Sequence, residues 1–314
     1  MLVPNLLPKV VPHSGSRLLL GLIVRLGGRL VESRPPLQPT QTRPAGVALG
    51  ERGGLYARYP GAVAPLSQRA RLLALRLLPP ALLLPEPLLP EPVQPAGTGP
   101  GARAAQLQRD FARELCEPSA VYGVMDTTLV PDPRPGHRGG AGVRRGLLAG
   151  QATFGRCRSK TEWVYGFKVA LVVDPDGVIT AFGLAPANSD ERPIGGALIA
   201  SDRHDAYLAD KGFFSLAWER HWLEVHGTLV AATPKDNARR AWPETDRRWA
   251  AGKRQVIEQV ISQLKDHFAL ERHRAKSLGG LLARLAAKIA AYTCGQRLNS
   301  QLGRPLRHLA ALLV

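Results

Sequence analysis

The sequence has few cysteines and no apolar run long enough to cross a membrane. Its three cysteines, Cys116, Cys157 and Cys294, are odd in number and widely spaced. They form neither a CxxC metal pair nor a disulfide framework, so a reducing compartment is predicted. The nearest candidate for a membrane segment, residues 18–24, is flanked by arginines and is too short to span a bilayer. These absences predict a cytoplasmic protein that is neither secreted nor bound in a membrane.

Acidic residues are also scarce, and the first aspartate in the chain is Asp110. The 42 lysines and arginines outnumber the 25 aspartates and glutamates, which gives a formal net charge of +17. Such a charge attracts phosphate backbones without sequence recognition. Ribosome-like or membrane-surface binding fits the same net charge, so the charge alone does not identify the binding partner. The absence of a Walker-type GxxxxGK[ST] motif disfavours nucleotide hydrolysis.

Proline, in contrast, is concentrated at one end of the chain. Seventeen of the 27 prolines lie in the first 100 positions, a density that prevents long helices and central strands. Residues 1–110 are therefore predicted to be a basic, low-complexity and poorly ordered region. Two origins fit this composition: a genuine basic arm, or a GC-rich reading frame that was never selected to fold. Residues 111–314 are predicted to form the globular domain.

From about residue 119 the pattern becomes that of an α/β domain. Strands are predicted at residues 120–130, 163–173, 178–184, 206–209 and 228–232. Helices are predicted at residues 190–201, 216–226 and 278–298, with another beginning at Arg254. Residues 131–160 are expected to form a Gly/Arg-rich loop. The antiparallel start followed by a parallel continuation predicts a mixed sheet with helices on its faces.

Residues 254–276 are predicted to include an amphipathic helix of about four turns, because their apolar residues recur at helical spacing. Arg254, Glu258 and Lys265 lie on one stripe of that helix, beside its apolar face. Two interpretations fit this stripe. One is a solvated ladder of salt bridges, which are common and weak at surfaces. The other is a metal-binding carboxylate with two cations directed at phosphates.

Two further carboxylates favour the second interpretation. Asp126 lies near the end of the first predicted strand, and Asp210 closes the fourth. If those strands are neighbours, both aspartates lie side by side and the helix brings Glu258 over them. Three such groups repel one another unless a divalent cation joins them, which predicts Mg²⁺ or Mn²⁺, as two ions. Two ions of this kind activate a water or a 3′-hydroxyl in phosphodiester chemistry. Taken singly, each aspartate is better explained as a turn or cap residue.

Four ordered motifs resemble those of bacterial insertion-sequence DDE transposases. They are VYGFK at residues 164–168, APAN at 185–188 followed by Asp190, ADKGF at 209–213, and Arg254-x3-Glu258-x6-Lys265. The resemblance covers about residues 120–300. It implies an RNase H-like core that cuts and joins DNA at element ends with Mg²⁺. It also implies that Asp126, Asp210 and Glu258 form the catalytic, metal-binding triad.

The resemblance further implies double-stranded DNA as the partner, both element ends and target, with a homo-oligomer forming on it. The predicted DNA-contacting residues are cations and one tryptophan: Arg254, Lys265, Lys211, Lys168, Arg144, Arg145, Arg156, Arg158 and Trp249. Trp249 lies among arginines, so it either packs in the core or stacks on an unpaired base.

Two departures from the related sequences leave alternatives open. Ala251 occupies a position where those sequences often have tyrosine, and the N-terminal region shows no helix-turn-helix. The alternatives to a transposase are an inactive DNA-binding remnant and a metal-dependent nuclease on the same core, which cuts without joining.

Overall fold

The computed structural model describes residues 99–116, 122–132, 148, 150–157, 162–202, 204–234 and 242–312. Most of the predicted low-complexity region lies outside these described residues. The same is true of three of the predicted DNA-contacting residues, Arg144, Arg145 and Arg158. No helix in the described parts of the chain combines the length and apolarity needed to cross a membrane.

The described residues form strands and helices in the predicted α/β succession. The strands are β1 (Tyr122–Pro131), β2 (Thr153–Cys157), β3 (Glu162–Val173), β4 (Ile179–Pro186), β5 (Ala206–Ala209) and β6 (Leu229–Ala232). The helices are α1 (Pro100–Leu115), α2 (Glu191–Ser201), α3 (Leu216–His226), α4 (Glu244–Asp266) and α5 (Leu278–Gln301), followed by a 3₁₀ turn at Leu309–Leu312.

All six strands belong to one mixed sheet. Its order is β2-β3-β1-β5-β6, and β4 also pairs with β3. Strand β3 is antiparallel to β1, β2 and β4, whereas β5 is parallel to both β1 and β6. The succession β4-β3-β1-β5-β6 is the RNase H-like arrangement, so the predicted fold class is confirmed.

Helices cover both faces of the sheet because the side chains of a strand alternate between faces. On β3, Val169 and Leu171 belong to the apolar cluster that includes residues of α4 and α5. Between them, Ala170 belongs to a second cluster with Ile194 of α2 and Trp222 of α3. The near-continuous apolar run of β3 is thus explained by burial on both sides.

Local sequence signals set several element ends. The Asp190 side chain accepts a hydrogen bond from the Arg192 N–H and begins α2, and Ser277 does the same for α5 by accepting from Gly280 N–H. Helix α3 ends at Gly227, whose φ of 66° is readily adopted by glycine. Between β3 and β4, Asp174 accepts hydrogen bonds from two backbone N–H groups of the turn that joins these strands.

The structure differs from the sequence-based expectations in three elements. Helix α4 begins at Glu244 rather than near Arg254 and ends at Asp266, and the chain turns where Ala269 has a φ of 50°. Strand β2 lies within the segment predicted as a loop, because it pairs with the first residues of β3. Helix α1 was not predicted, and the expected domain boundary at residue 110 falls inside it.

Candidate active site

The register of the sheet brings Asp126 and Asp210 together. In the parallel pair of β1 and β5, Met125 lies beside Ala209, so the next residues along both strands are neighbours. Val124 and Leu208, two residues before each aspartate, belong to the apolar cluster beneath α4. Because side chains alternate along a strand, Asp126 and Asp210 face that same side. The predicted neighbourhood of the two aspartates follows from the pairing of their strands.

Helix α4 lies over this face and contributes Arg254 and Glu258. Its buried residues Ile257, Val260 and Leu264 pack on the sheet at helical spacing. Arg254 and Glu258 are four residues apart and therefore lie one turn apart on the same side of the helix. The apolar stripe thus fixes the rotation of α4 about its axis, and that rotation directs both polar side chains toward Asp126 and Asp210.

Arg254 contacts all three carboxylates of the predicted triad. Its Nη1 lies 3.0 Å from Asp210 Oδ1, and its Nη2 lies 3.7 Å from Asp126 Oδ2 and 3.9 Å from Glu258 Oε1. The Arg254 side chain is only 15% exposed, while those of Asp210 and Glu258 are 35% and 58% exposed. Its Nε is buried without a hydrogen-bond partner among the described residues. One guanidinium therefore stands at the point where the three acids converge, open to solvent on the Glu258 side.

Asp126 is the most buried of the three acids. Burial raises the pKa of its carboxyl to about 7, although Arg254 and the Thr127 N–H, which donates to Oδ1 at 2.7 Å, both lower it. Asp210 and Glu191 raise the pKa further by repulsion. A second cation beside Arg254 would favour the ionised carboxylate of Asp126. It would offset the free-energy cost of leaving that negative charge in a poorly solvated place.

The donor set suits a divalent cation, but Arg254 occupies the space between the donors. Carboxylate oxygens are the ligands of Mg²⁺ and Mn²⁺, and three of them already surround one positive charge. As they stand, no three acidic, histidine or cysteine side chains among the described residues are placed to hold a metal ion together. Metal binding by all three acids together therefore requires Arg254 to move out from between them.

Two of the predicted DNA-contacting lysines form ion pairs within the protein. Lys265 Nζ lies 2.8 Å from Glu271 Oε1. Lys168 is only 12% exposed, with its Nζ 3.3 Å from Glu191 Oε1 and 2.8 Å from the Ser189 carbonyl oxygen. Lys168 faces α2, on the opposite side of the sheet from α4. Neither lysine is presented freely to a phosphate backbone in this structure.

The other predicted contacts that the structure describes differ in exposure. Arg156 is exposed on β2, and Lys211 is half-buried directly after Asp210. Trp249 packs partly against the core, with its ring centroid 6.3 Å from that of Tyr122 and 6.0 Å from Lys253 Nζ. These contacts support the packing interpretation of Trp249, and its role in base stacking stays a prediction.

Sequence reasoning missed Thr127 and Glu191. The Thr127 hydroxyl donates to Glu191 Oε1 at 3.0 Å, which links β1 to the first turn of α2. The signals for these two residues were weak, because Thr127 lies inside an apolar strand and Glu191 is an ordinary residue for the first turn of a helix. Only their contact in the folded chain distinguishes them.

Asp126 was expected near the end of its strand, but it is the fifth residue of the ten in β1, because β1 continues to Pro131 in its pairing with β3. An RNase H-like sheet with one aspartate within the central strand, a second directly after the adjacent parallel strand and a glutamate on the covering helix defines a class of protein, the DDE nucleic-acid enzymes. Residues 120–294 match the family described as Transposase DDE domain, and the chain belongs to that family. Membership supports a transposase or nuclease type of function, and it implies DNA as a partner; the family generally uses divalent metal ions. No curated protein and no solved structure matches the chain.

Proposed function

We propose that this protein is a transposase that cuts DNA at the ends of an insertion sequence and joins it to a target, with Asp126, Asp210 and Glu258 as the catalytic and metal-binding triad. The observation that carries the proposal is the convergence of these three carboxylates on one guanidinium. Membership of the Transposase DDE domain family supports the reaction class.

The three acids are suited to hold Mg²⁺ or Mn²⁺ once Arg254 moves out from between them. When bound, two such ions would supply an activated water or 3′-hydroxyl and stabilisation of the leaving oxygen of a phosphodiester. The protein's own contribution is placement: strand pairing fixes the two aspartates, and α4 brings Glu258 above them. The exposure of Asp210 and Glu258 leaves this end of the sheet accessible to a DNA backbone.

Arg254 is suited to a second task after it leaves the acids. Its Nη2 lies 3.9 Å from Glu258, the most exposed of the three acids, so a scissile phosphate that approaches on that side would meet it, and a guanidinium pairs with phosphate in a bidentate way. Exposed Arg156 on β2 adds positive charge at the edge of the sheet. These positions support a role of both arginines in holding the DNA backbone.

The test is DNA cleavage with Mn²⁺, using supercoiled plasmid and duplex oligonucleotides that carry the DNA flanking the gene. Asp210→Asn is expected to abolish cleavage and joining and to leave DNA binding intact in a mobility-shift assay, because a ligand is lost but the basic surface is unchanged. Asp205→Asn is the matched control, since Asp205 precedes β5 at the other end of the same strand. Metal-dependent cleavage without joining would favour the nuclease alternative, and cleavage by Asp210→Asn equal to wild type would refute the triad.

A further inference from the structure

Glu191 connects three segments around the candidate active site. It lies at the first position of α2 and is 25% exposed. Its Oε1 accepts a hydrogen bond from the Thr127 hydroxyl at 3.0 Å and lies 3.3 Å from Lys168 Nζ. Lys168 in turn donates to the Ser189 carbonyl oxygen at 2.8 Å. A lysine of β3, a glutamate of α2 and a threonine of β1 therefore form one continuous chain of contacts.

The same carboxylate is packed against the turn that follows Asp210. A Cβ added at Gly212 would overlap the Glu191 carboxylate, so the backbone of this turn and Glu191 approach as closely as a glycine allows. Gly212 is two residues after Asp210, and Thr127 directly follows Asp126. Glu191 thus lies between the segments that carry the two strand-borne acids, on the far side of the sheet from Arg254.

We propose that Glu191, held by Lys168, is a positioning residue for Asp126, and that it acts through Thr127. The Thr127 N–H donates to Asp126 Oδ1 at 2.7 Å, while its hydroxyl is held by Glu191 on the opposite face of the sheet. Fixing the hydroxyl fixes the peptide that orients the Asp126 carboxylate. Groups that orient a ligand in this way typically change metal affinity or activity about 10- to 100-fold when they are removed. This inference rests on the proposed function.

Lys168 is the charge partner that permits an acid at this position. A fourth carboxylate close to the triad adds repulsion unless a cation neutralises it. With both side chains largely buried, removal of the lysine leaves an uncompensated charge, which costs more than loss of an exposed pair. The geometry therefore gives Lys168 a role inside the protein, and not as a direct DNA contact.

Thr127→Val tests the positioning role because it removes the hydroxyl and keeps the branched shape. The expected result is a loss of about 10- to 100-fold in Mn²⁺ affinity, measured by electron paramagnetic resonance on the DNA-free protein, and a similar loss in the rate of plasmid cleavage. Thr127→Ser is expected to restore both. The matched control is Thr153→Val on β2. The Thr153 hydroxyl donates a hydrogen bond to Asn188 Oδ1 at 2.8 Å and has no contact with the triad. It is expected to change melting temperature but not Mn²⁺ affinity.

Lys168→Met distinguishes positioning from DNA contact. We expect it to lower Mn²⁺ affinity in the absence of DNA and to leave duplex binding in EDTA unchanged. The opposite pattern, weaker DNA binding with normal Mn²⁺ affinity, would overturn the proposal, and this holds even if Thr127→Val does not fold. Normal Mn²⁺ affinity and cleavage in Thr127→Val would overturn it as well, with the proposed function intact. A wild-type protein that neither binds Mn²⁺ nor cleaves DNA would instead overturn the proposed function.

Discussion

At the scale of single residues, Arg254 is bound by three acids but incompletely satisfied. Two of its ion pairs are at 3.7 and 3.9 Å, and its buried Nε has no acceptor among the described residues. A buried donor left without an acceptor costs roughly 1–3 kcal/mol. A divalent metal ion carries twice the positive charge of the Arg254 guanidinium and is smaller, so it would bind the same carboxylates more strongly. Arg254 and a metal ion are therefore expected to compete.

Arg254→Gln should bind Mn²⁺ more tightly than wild type, because the competing cation is gone. A coupling of the usual size predicts a gain of at least about 5-fold, measured by calorimetric titration without DNA. Arg248→Gln is the control, since Arg248 lies on the same helix and pairs with Glu244 at 2.9 Å. Unchanged or weaker Mn²⁺ binding in Arg254→Gln would show that the arginine does not occupy the metal position.

Two glycines offer a second comparison at this scale. Gly212→Ala should lower stability by about 1–3 kcal/mol, because the new methyl group overlaps the Glu191 carboxylate. Gly252→Ala, on exposed α4 surface with nothing within 4 Å of the new Cβ, should raise it by about 1 kcal/mol. Urea unfolding of both variants measures the difference. A neutral Gly212→Ala would mean that Glu191 moves away freely.

At the scale of elements, the segment between α4 and α5 is attached to the end of β1 by one histidine. His273 is 2% exposed; its Nε2–H donates to the Pro131 carbonyl oxygen at 2.9 Å, and its Nδ1 accepts from the Ala275 N–H at 3.1 Å. Both ring nitrogens are thus used by the neutral ring. Burial lowers the pKa of His273, and protonation of Nδ1 would break the bond to Ala275.

The contribution of His273 to stability should therefore fall as the pH drops through about 6.5, where the unfolded chain takes up a proton that folded His273 does not. The raised pKa of Asp126 acts in the opposite sense, so the comparison of wild type with a His273 variant isolates the histidine. The measurement is urea unfolding at pH 7.5 and 5.5. His273→Gln should have a lower free energy of unfolding than wild type at pH 7.5. Between pH 7.5 and pH 5.5 its free energy of unfolding should decrease less than that of wild type. His308→Gln, at an exposed position, is expected to follow wild type. An equal loss in wild type and His273→Gln would assign the pH dependence to other groups.

At the scale of the whole molecule, α1 belongs to the same packed body as the sheet. Ala105 is fully buried in the cluster shared with α5, Gln108 donates to the Ile179 carbonyl oxygen of β4, and Glu114 lies 2.6 Å from Arg297. The predicted boundary at residue 110 would cut this helix in half. These contacts place the whole of α1, Pro100–Leu115, in the folded body.

Truncation tests that placement. A chain that begins at Gly99 should melt like the full-length protein, whereas one that begins at Phe111 should melt lower by more than about 5 °C, because half of the α1 interface is lost. Differential scanning calorimetry of both chains and the full-length protein gives the comparison. Equal melting of the two truncated chains would mean that α1 adds nothing to the fold. A large loss in the Gly99 chain would show that residues 1–98 stabilise the core.

The sequence by itself determined the features that depend on neighbours in the chain. The apolar runs of β1 and β3, the helix that begins after Asp190 and the four-residue spacing of Arg254 and Glu258 are all short-range, so local sequence patterns predict them. The position of Asp210 directly after a strand followed from the same signals, whereas Asp126 lies in the middle of β1 and not near its end. The proximity of the two aspartates was also predicted, but only on the condition that their strands were neighbours in the sheet.

Tertiary structure alone decided which distant groups meet. Thr127 and Glu191 are 64 residues apart, and their contact depends on α2 crossing the sheet at one particular place. The same holds for Lys168, which motif similarity assigned to DNA and which the fold directs to Glu191. Helix α1 was not predicted because its stability comes from burial against α5, and a contact between distant segments leaves no local sequence pattern. Side-chain partners across a sheet are set by topology and packing, which local sequence patterns do not encode.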